Sequence, residues 1–599
     1  MRTFKTLLCC TLIAPASTAL GQAYGELTIN DVRARFHAHG LIGHNLGSST
    51  AAFEVPQGEG AHALYSAGLW AAGVTSDQTL HLSAMKYEAN GQGDYYTGPL
   101  TTDGTASTDA AMMEAYDEVW EATSEQVERH LAYFTCLGDP GCDVSVEFPD
   151  GYEIPPGFFE WPAINSTPGF ATYQAPFYDF NLDGDYDPAA GDAPCILGDQ
   201  ALYFVFNDKG GPHLLSGSQP IGLEIQAMAF AYESGDPFLD QTVFVHYHII
   251  NRGILTLNET RIGLFNDFDL GCGDDDFVGT DAARNLTYVY NGDAQDDDCG
   301  GITGYGPQPP AFGMAVLKGP YLDYDLADNA VSDALPSWNG TAFADGVFDN
   351  EKHGLSKAIH MYRDGDPCCT DPSLSVHYQN YLRGVWKDGV PLTYGGTGHT
   401  LDPGALNCSF AFPGSSDPVG AGTGGAPQAA WSEAGFTAPD RRTVSSLGPF
   451  TLEPGMHEDL LLAYVFARTS TGGAAASVAA LQARVDSVRA FANTLPLWTN
   501  LREEFQGGCE NLGPNGTEEL STAALRLFPV PASDAVQLDV PDQLVGATLR
   551  IYDPAGRIVA THRLAAGLNT IGIASLAQGV YACEVRSEKA RYTGRLVKE

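Results

Sequence analysis

Two stretches of this chain are apolar at nearly every position on both faces, His246 and His248 being the exceptions: Ala201-Leu202-Tyr203-Phe204-Val205-Phe206 and Val243-Phe244-Val245-His246-Tyr247-His248-Ile249-Ile250. Successive residues of a strand point to opposite sides of its sheet, so a strand that is apolar at nearly every position has to be covered on both sides. These runs belong in the middle of a layered β-structure. The 68 glycines and 36 prolines among 599 residues agree, because they supply turns between short strands. Short strands are expected at Ala63-Leu64-Tyr65, Gly68-Leu69-Trp70 and Leu80-His81-Leu82, and a later strand pair ends at Leu460 to Phe466 after the turn Pro454-Gly455. Two helices interrupt the pattern. Val127, Leu131 and Phe134 recur at helical spacing behind a Thr123/Gln126 capping box, and Leu481, Val485, Val488 and Phe491 share one face. A chain of this length exceeds what one core usually organises, and no self-similar period links its segments. The expected fold is mainly β: a large β-sandwich-like body with a few helices, built as one sandwich with insertions or as two smaller ones, plus a small C-terminal Ig-like antiparallel β-sandwich.

The ends of the chain carry addresses. Arg2 and Lys5 precede an apolar stretch from Leu7 to Ala16, and the small-residue pattern Ala19-Leu20-Gly21 follows. This three-part pattern is a secretory signal peptide over residues 1–21, cleaved before Gln22. Its apolar run is too short to span a bilayer and is interrupted by Pro15. No later segment offers eighteen uninterrupted apolar residues, so no transmembrane segment is expected. Residues 22–506 form the β-rich body, with a sub-boundary near 160–195. Residues 507–522 are glycine-rich, polar and aperiodic, and read as a linker. Residues 523–599 alternate strictly in Val536/Leu538/Val540, Leu549/Ile551, Ile571/Ile573 and Tyr581/Cys583/Val585, which is the rhythm of a compact antiparallel sandwich.

Four motifs run through this last domain in order: Leu527-Phe528-Pro529-Val530-Pro531-Ala532, Ile551-Tyr552-Asp553-Pro554-Ala555-Gly556-Arg557, Leu576-Ala577-Gln578-Gly579-Val580-Tyr581 and Arg595-Leu596-Val597-Lys598. On them the domain resembles the type A sorting domain of proteins exported by type IX (Por) secretion in Bacteroidota-like bacteria. Pro529, Pro531, Gly556, Gly579, Tyr581 and Lys598 mark the matching positions, and Val530 stands where that family usually has asparagine. The resemblance implies the type IX secretion machinery as a partner, removal of the domain at the outer membrane, and a secreted or outer-cell-surface product. The body is similar to large secreted proteins of the same bacteria that have no assigned activity. That similarity rests on Gly68-Leu69-Trp70, Gly98-Pro99-Leu100, Trp161-Pro162-Ala163, Asp179 to Asp192, Gly198-Asp199-Gln200-Ala201 and Asp274-Asp275-Asp276-Phe277-Val278-Gly279. It implies kinship and no mechanism.

A formal charge of −43 disfavours nucleic acid and anionic membranes as partners and directs attention to cations. Asp179, Asn181, Asp183, Asp185 and Asp187 place oxygens at alternate positions around Gly184, as a calcium loop requires, and Asp192 is a later ligand candidate in place of the glutamate that such loops often carry. A second calcium candidate comprises Asp267, Asp269, Asp274, Asp275 and Asp276, with Asp281 close behind. Asp293, Asp296, Asp297 and Asp298 read as plain surface.

His246 and His248 share a strand face as two zinc ligands would, but no third ligand is identifiable and core packing is the better reading. The His-Glu-x-x-His, Gly-x-Ser-x-Gly and phosphate-loop patterns are absent. Trp70, Tyr95, Tyr96, Trp161, Tyr362 and Trp386 are candidates for stacking on sugar rings, although most such residues are core.

The cysteines are expected to pair 136 with 142 and 272 with 299, and Cys368 and Cys369 to find separate partners. Cys583 is expected to be a buried apolar filler. With Cys9 and Cys10 in the signal peptide, an odd number remains to pair, so a further free thiol is expected. The functional expectation is an exported, calcium-stabilised, non-catalytic protein that adheres to a glycan or surface polymer. The alternative is a secreted hydrolase acting on polysaccharide through a carboxylate pair.

Overall fold

A computed structural model describes residues 23–88, 93–436, 440–495, 521–525, 527–528, 532–540, 547–552, 558–586 and 590–598. The expected signal peptide, most of the linker, and Pro529, Pro531 and Gly556 lie outside the described residues. The chain divides into two units, residues 1–509 and 510–599.

The first unit is built on two large antiparallel sheets. In the nine-stranded sheet, His457–Ala467, Thr242–Asn251, Leu223–Ala231 and Gln200–Asn207 are successive neighbours, and all four are buried along their whole length. The five-stranded sheet runs Leu355–Tyr362, Arg441–Leu452, Leu257–Asp267, Ser66–Val74 and Leu80–Ala84. One face of the larger sheet presents Phe204, Val245, Tyr247, Leu462 and Tyr464 to Leu69, Ala71, Ile262, Leu264 and Leu447 of the smaller one. This inner core makes the body one sandwich and decides between the two arrangements left open by the sequence.

Both outer faces are covered as well. Alternate residues of the same central strands, including Tyr203, Phe230, Phe244, Leu461 and Val465, turn outward. There they meet Leu481, Val485 and Val488 of the helix Gly473–Ala492 and a cover contributed by Trp120, Val127, Phe158 and Trp161. The region around 160–195 lies in this cover, where Ala163, Ala175, Phe177 and Ala193 are buried. On the far side, Trp70, Phe265, Ile359 and Val444 pack beneath Tyr378, Tyr381 and Leu382 of the helix Ser375–Leu382. The Trp70 ring stacks on Phe265 at 5.6 Å and meets Tyr378 edge-on at 4.8 Å. A strand apolar at nearly every position is therefore possible here because each of its faces has its own core.

Local chemistry sets the ends of the helices. Thr123 caps the helix Ser124–Gly138 by accepting from Gln126 N, while the Gln126 side chain accepts from Thr123 N, the reciprocal box expected from the sequence. The Cys136–Cys142 and Cys272–Cys299 bridges are present, and Cys408 and Cys583 are free and buried. Cys368 and Cys369 are bonded to each other rather than to separate partners, since their neighbouring side chains meet across the turn Pro367–Cys369. Ala63–Tyr65 is not a strand; the chain enters the sheet at Ser66.

The second unit has a five-stranded and a three-stranded sheet. Val536, Leu538 and Ile571 from one, and Leu549, Ile551, Tyr581, Cys583, Val585 and Leu596 from the other, form its core. Among the described residues it departs from a purely antiparallel sandwich where Ser521–Ala524 runs parallel alongside Ala590–Lys598 and where Ala532 bridges Lys598 in the same sense.

Phe204→Ala should lower the stability of the body by about 3–5 kcal/mol through the cavity it leaves between the sheets, whereas Thr123→Ala should cost about 1 kcal/mol. Denaturant midpoints of the two variants against the parent check both values and their order.

Candidate metal centre

The register between two strands of the smaller sheet creates the most unusual polar site. Leu257–Asp267 pairs antiparallel with Arg441–Leu452 so that Asp267 stands opposite Arg442 at one end of the ladder. Just beyond that end, the chain continues to Asp269 on one side and begins from Asp440 on the other. One carboxylate oxygen from each of Asp267, Asp269 and Asp440 lies within 4.8 Å of the other two. Asp267 and Asp440 are 1 % and 7 % exposed, respectively.

Too few donors reach these oxygens. Tyr87 donates to Asp267 Oδ2 at 2.7 Å, and Arg442 Nε donates to the Tyr87 hydroxyl at 3.0 Å. Arg363 donates to Asp440 Oδ2 at 3.0 Å. Arg442 lies 3.2 Å from both Asp267 Oδ1 and Asp440 Oδ1, yet neither oxygen has a hydrogen-bond partner, and Asp269 Oδ1 is buried without one too. Burial, opposed by Arg442, pushes the Asp267 carboxyl up to about 7. Asp269 is raised well above the ordinary carboxylate range by burial and by the Asp267 charge. Carboxylates gathered this closely repel one another, and the cost is relieved by protonation or by a cation.

The remaining members of the sequence cluster border the trio without joining it, and Arg363 pairs with both Asp274 and Asp440. Asp274 is exposed and pairs with Arg363 at 3.1 Å. Asp276 is buried, accepts from Leu270 N and leaves Oδ1 without a partner, and Asp275 Oδ1 is likewise buried and unpartnered. Asp281 pairs with Arg284 at 2.9 Å. Asp296 is not surface: it is 1 % exposed, accepts from Cys272 N and Tyr305 N, and is pushed by burial up to about 6. Asp440, the third member of the trio, is missed by sequence reading because it lies far along the chain. The signal available was an acid followed by Arg441 and Arg442 at the mouth of a strand.

In the loop 179–192 the acids hold the loop's own backbone. Asp179 accepts from the amides of Asp183 and Gly184, Asn181 from Asp183, Asp183 from Asp185, and Asp187 from Ala189. Asp192, fully buried, accepts from Phe180 N at 2.8 Å and Asp187 N at 2.7 Å, which closes the loop across its base. Gly184 has φ of 82°, so the turn favours glycine there. Among the described residues this loop does not bring three acidic oxygens within 4.8 Å of one another, as the trio does.

His246 and His248 converge on one acceptor, Asp459 Oδ1, at 3.2 and 2.9 Å, and His248 Nε2 contacts His457 Nδ1 at 2.8 Å. All four are buried, so the pair belongs to a hydrogen-bonded network within the sheet. Trp70, Tyr95, Trp161 and Trp386 are core residues, while Tyr96 and Tyr362 are half-buried.

Residues 526–599 match the family model described as the secretion system C-terminal sorting domain. The chain carries a type IX secretion sorting domain. The protein is accordingly secreted or held on the cell surface, and the type IX machinery is its partner. Of the sorting positions, Gly579 and Tyr581 lie on the strand Gly579–Arg586, where the Tyr581 hydroxyl donates to Ala577 O, and Lys598 ends the strand Ala590–Lys598. Among the described residues no helix is long and apolar enough to cross a membrane. No curated protein matches the chain. Among solved structures, a polysaccharide lyase is similar at 7 % identity with a TM-score of 0.19, over 67 % of this chain and 35 % of that one. This chain spans about a third of the lyase's length, and so slight a likeness carries no argument about activity.

The histidine network should make the body acid-sensitive. Burial holds His246 and His457 below the ordinary histidine value of 6.5. As pH falls below 6.5, the unfolded chain takes up protons that these folded residues do not. Their stabilising contribution is therefore full above 6.5 and is lost as pH falls towards their folded values. The stability gap between the parent and His457→Gln should narrow from pH 7 to pH 5. Chemical denaturation at the two values measures it, and a gap independent of pH would contradict the assignment.

Proposed function

We propose that the exported body is a non-catalytic adhesion or polymer-binding module whose fold is tightened by calcium held at Asp267, Asp269 and Asp440. The observation that supports this reading is the trio of buried carboxylates with unpartnered oxygens. Three acids faced by the buried guanidinium of Arg442 and the exposed one of Arg363 carry more negative charge than the two neutralise, and all the convergent atoms are hard oxygens, which suits calcium. Backbone carbonyls and water would supply the rest of its coordination shell. The loop of Asp179, Asn181, Asp183, Asp185, Asp187 and Asp192 is a second, more exposed calcium candidate within the same reading. Its free lone pairs, rather than oxygens lacking any partner, would do the binding.

The carboxylate-pair hydrolase is disfavoured at the trio. A glycosidase separates its two acids by roughly 5–9 Å so that a sugar, with or without a water, fits between them. Oxygens within 4.8 Å of one another, on side chains as buried as Asp267 and Asp440, leave no room for that substrate. Such a site suits an ion. Outside the cell, where calcium is abundant, its role is to fix the end of the smaller sheet and the segments that leave it, so that the surface they carry keeps one shape for its ligand.

Calcium should raise the melting temperature of the body, and a chelator should reverse the rise. Asp440→Asn should remove most of the calcium-dependent shift while leaving the metal-free protein as stable as the parent or more so, because it relieves charge repulsion. Differential scanning calorimetry with and without calcium is the test, and equal shifts in parent and variant would remove the trio from the account. Retention on a panel of immobilised polysaccharides, without release of reducing ends, is the expected binding result. Reducing-end release that disappears in Asp267→Asn would overturn the non-catalytic reading.

A further inference from the structure

The adjacent pair Cys368–Cys369 stands apart from the other bridges. Cys272–Cys299 closes a span of 27 residues and so restricts the unfolded chain. A bond between sequence neighbours closes no loop, so it removes almost nothing from the freedom of the unfolded chain. Stapling therefore does not account for it. Its surroundings supply another role. One ligand atom from each of Cys368, Cys369 and His399 lies within 4.8 Å of the other two.

His399 is held for that purpose. Its Nε2 contacts Asp388 Oδ2 at 2.8 Å; facing a carboxylate, this nitrogen carries the proton and leaves the other ring nitrogen its lone pair. Asp388 is itself fixed, since its Oδ1 accepts from Val390 N at 3.0 Å. The backbone next to His399 is pinned to the interior because the fully buried Trp386 donates its indole N–H to Gly398 O at 2.8 Å, and the Trp386 ring packs 5.9 Å from the imidazole. On the other side, Asp366 accepts from Cys368 N and fixes the cysteine turn. A carboxylate that orients a histidine beside two sulfurs is the arrangement that protein zinc sites use to set tautomer and ring angle.

We propose that Cys368, Cys369 and His399 form a redox-gated site for a thiophilic divalent cation of the zinc class, closed while the disulfide is intact and opened by reduction. A low-molecular-weight dithiol supplies two electrons and two protons. The Cys368–Cys369 S–S bond breaks, two thiols form, and the reductant leaves as its cyclic disulfide. The cation then takes two thiolates and one imidazole nitrogen, two Zn–S bonds form, and two protons go to solvent. Water completes the tetrahedral shell. Cys368 and His399 are only half-buried, so both reductant and ion can reach them, whereas Cys369 and Trp386 form the apolar floor. The site is independent of the calcium reading, because its sulfur and nitrogen donors select a softer ion.

The test is zinc binding by the purified full-length protein under anaerobic conditions, measured by competition with a chromogenic chelator before and after treatment with a dithiol. The reduced protein should take one equivalent more zinc than the oxidised protein, and reoxidation should release it. In the reduced state Cys368→Ser and Cys369→Ser should each abolish that equivalent, and His399→Gln should weaken it. Asp388→Asn should lower the affinity by roughly ten-fold or more through loss of the orienting bond. Cys408→Ser, which removes a buried thiol outside the trio, should leave it unchanged. Failure of the reduced protein to gain zinc, or retention of the extra equivalent in the Cys368→Ser/Cys369→Ser double variant, would overturn the proposal.

Discussion

Everything in the body depends on burying one sheet on both sides. Thr242–Asn251 is buried at every position, and so are the strands flanking it. Each of these strands feeds two cores at once: Val245 and Tyr247 point into the space between the sheets, while Phe244 points towards the helix Gly473–Ala492. Losing the outer helix would expose the apolar side chains it packs on, Phe244, Leu461 and Val465 among them. The layers therefore stabilise one another, and the long insertions that supply the outer covers are part of the fold's economy of surface rather than additions to it.

That arrangement also explains where polar chemistry can survive. In the central strands of the larger sheet the acids Glu224, Glu458 and Asp459 all stand within the first three positions, so charge collects where ladders end. At one such end, a single register, Asp267 opposite Arg442, brings Asp269 and Asp440 together from distant parts of the chain. In the larger sheet, Asp459 sits opposite His248 in the ladder and gathers two imidazoles. The first cluster is short of donors and the second is satisfied, which is why one reads as a place for an ion and the other as a structural network.

Local features were legible in the sequence because they depend on neighbours. The Thr123/Gln126 capping box, the helix built on Leu481, Val485 and Val488, the two apolar central strands and the alternation of the C-terminal domain all follow from spacing alone. The sorting domain was legible because its motifs lie within a short span of chain. What spacing could not supply was distance. Asp274, Asp275 and Asp276 look like partners of Asp267 along the chain, but it is Asp440, brought in by the ladder, whose oxygen joins those of Asp267 and Asp269 within 4.8 Å. Asp296 read as surface because it sits among exposed acids, yet Cys272 N and Tyr305 N draw it inside. The bond between Cys368 and Cys369 runs against the ordinary preference of neighbouring cysteines for separate partners, and only the turn that carries them shows why.

Export of the chain and the calcium proposed for its body are tested together by native mass spectrometry of the protein recovered from its host. The predicted result is a body outside the cell or on its surface, lacking the signal peptide and the sorting domain, with calcium that survives desalting but not chelation. A full-length chain confined to the periplasm, or an exported body whose mass is that of the polypeptide alone, would contradict it.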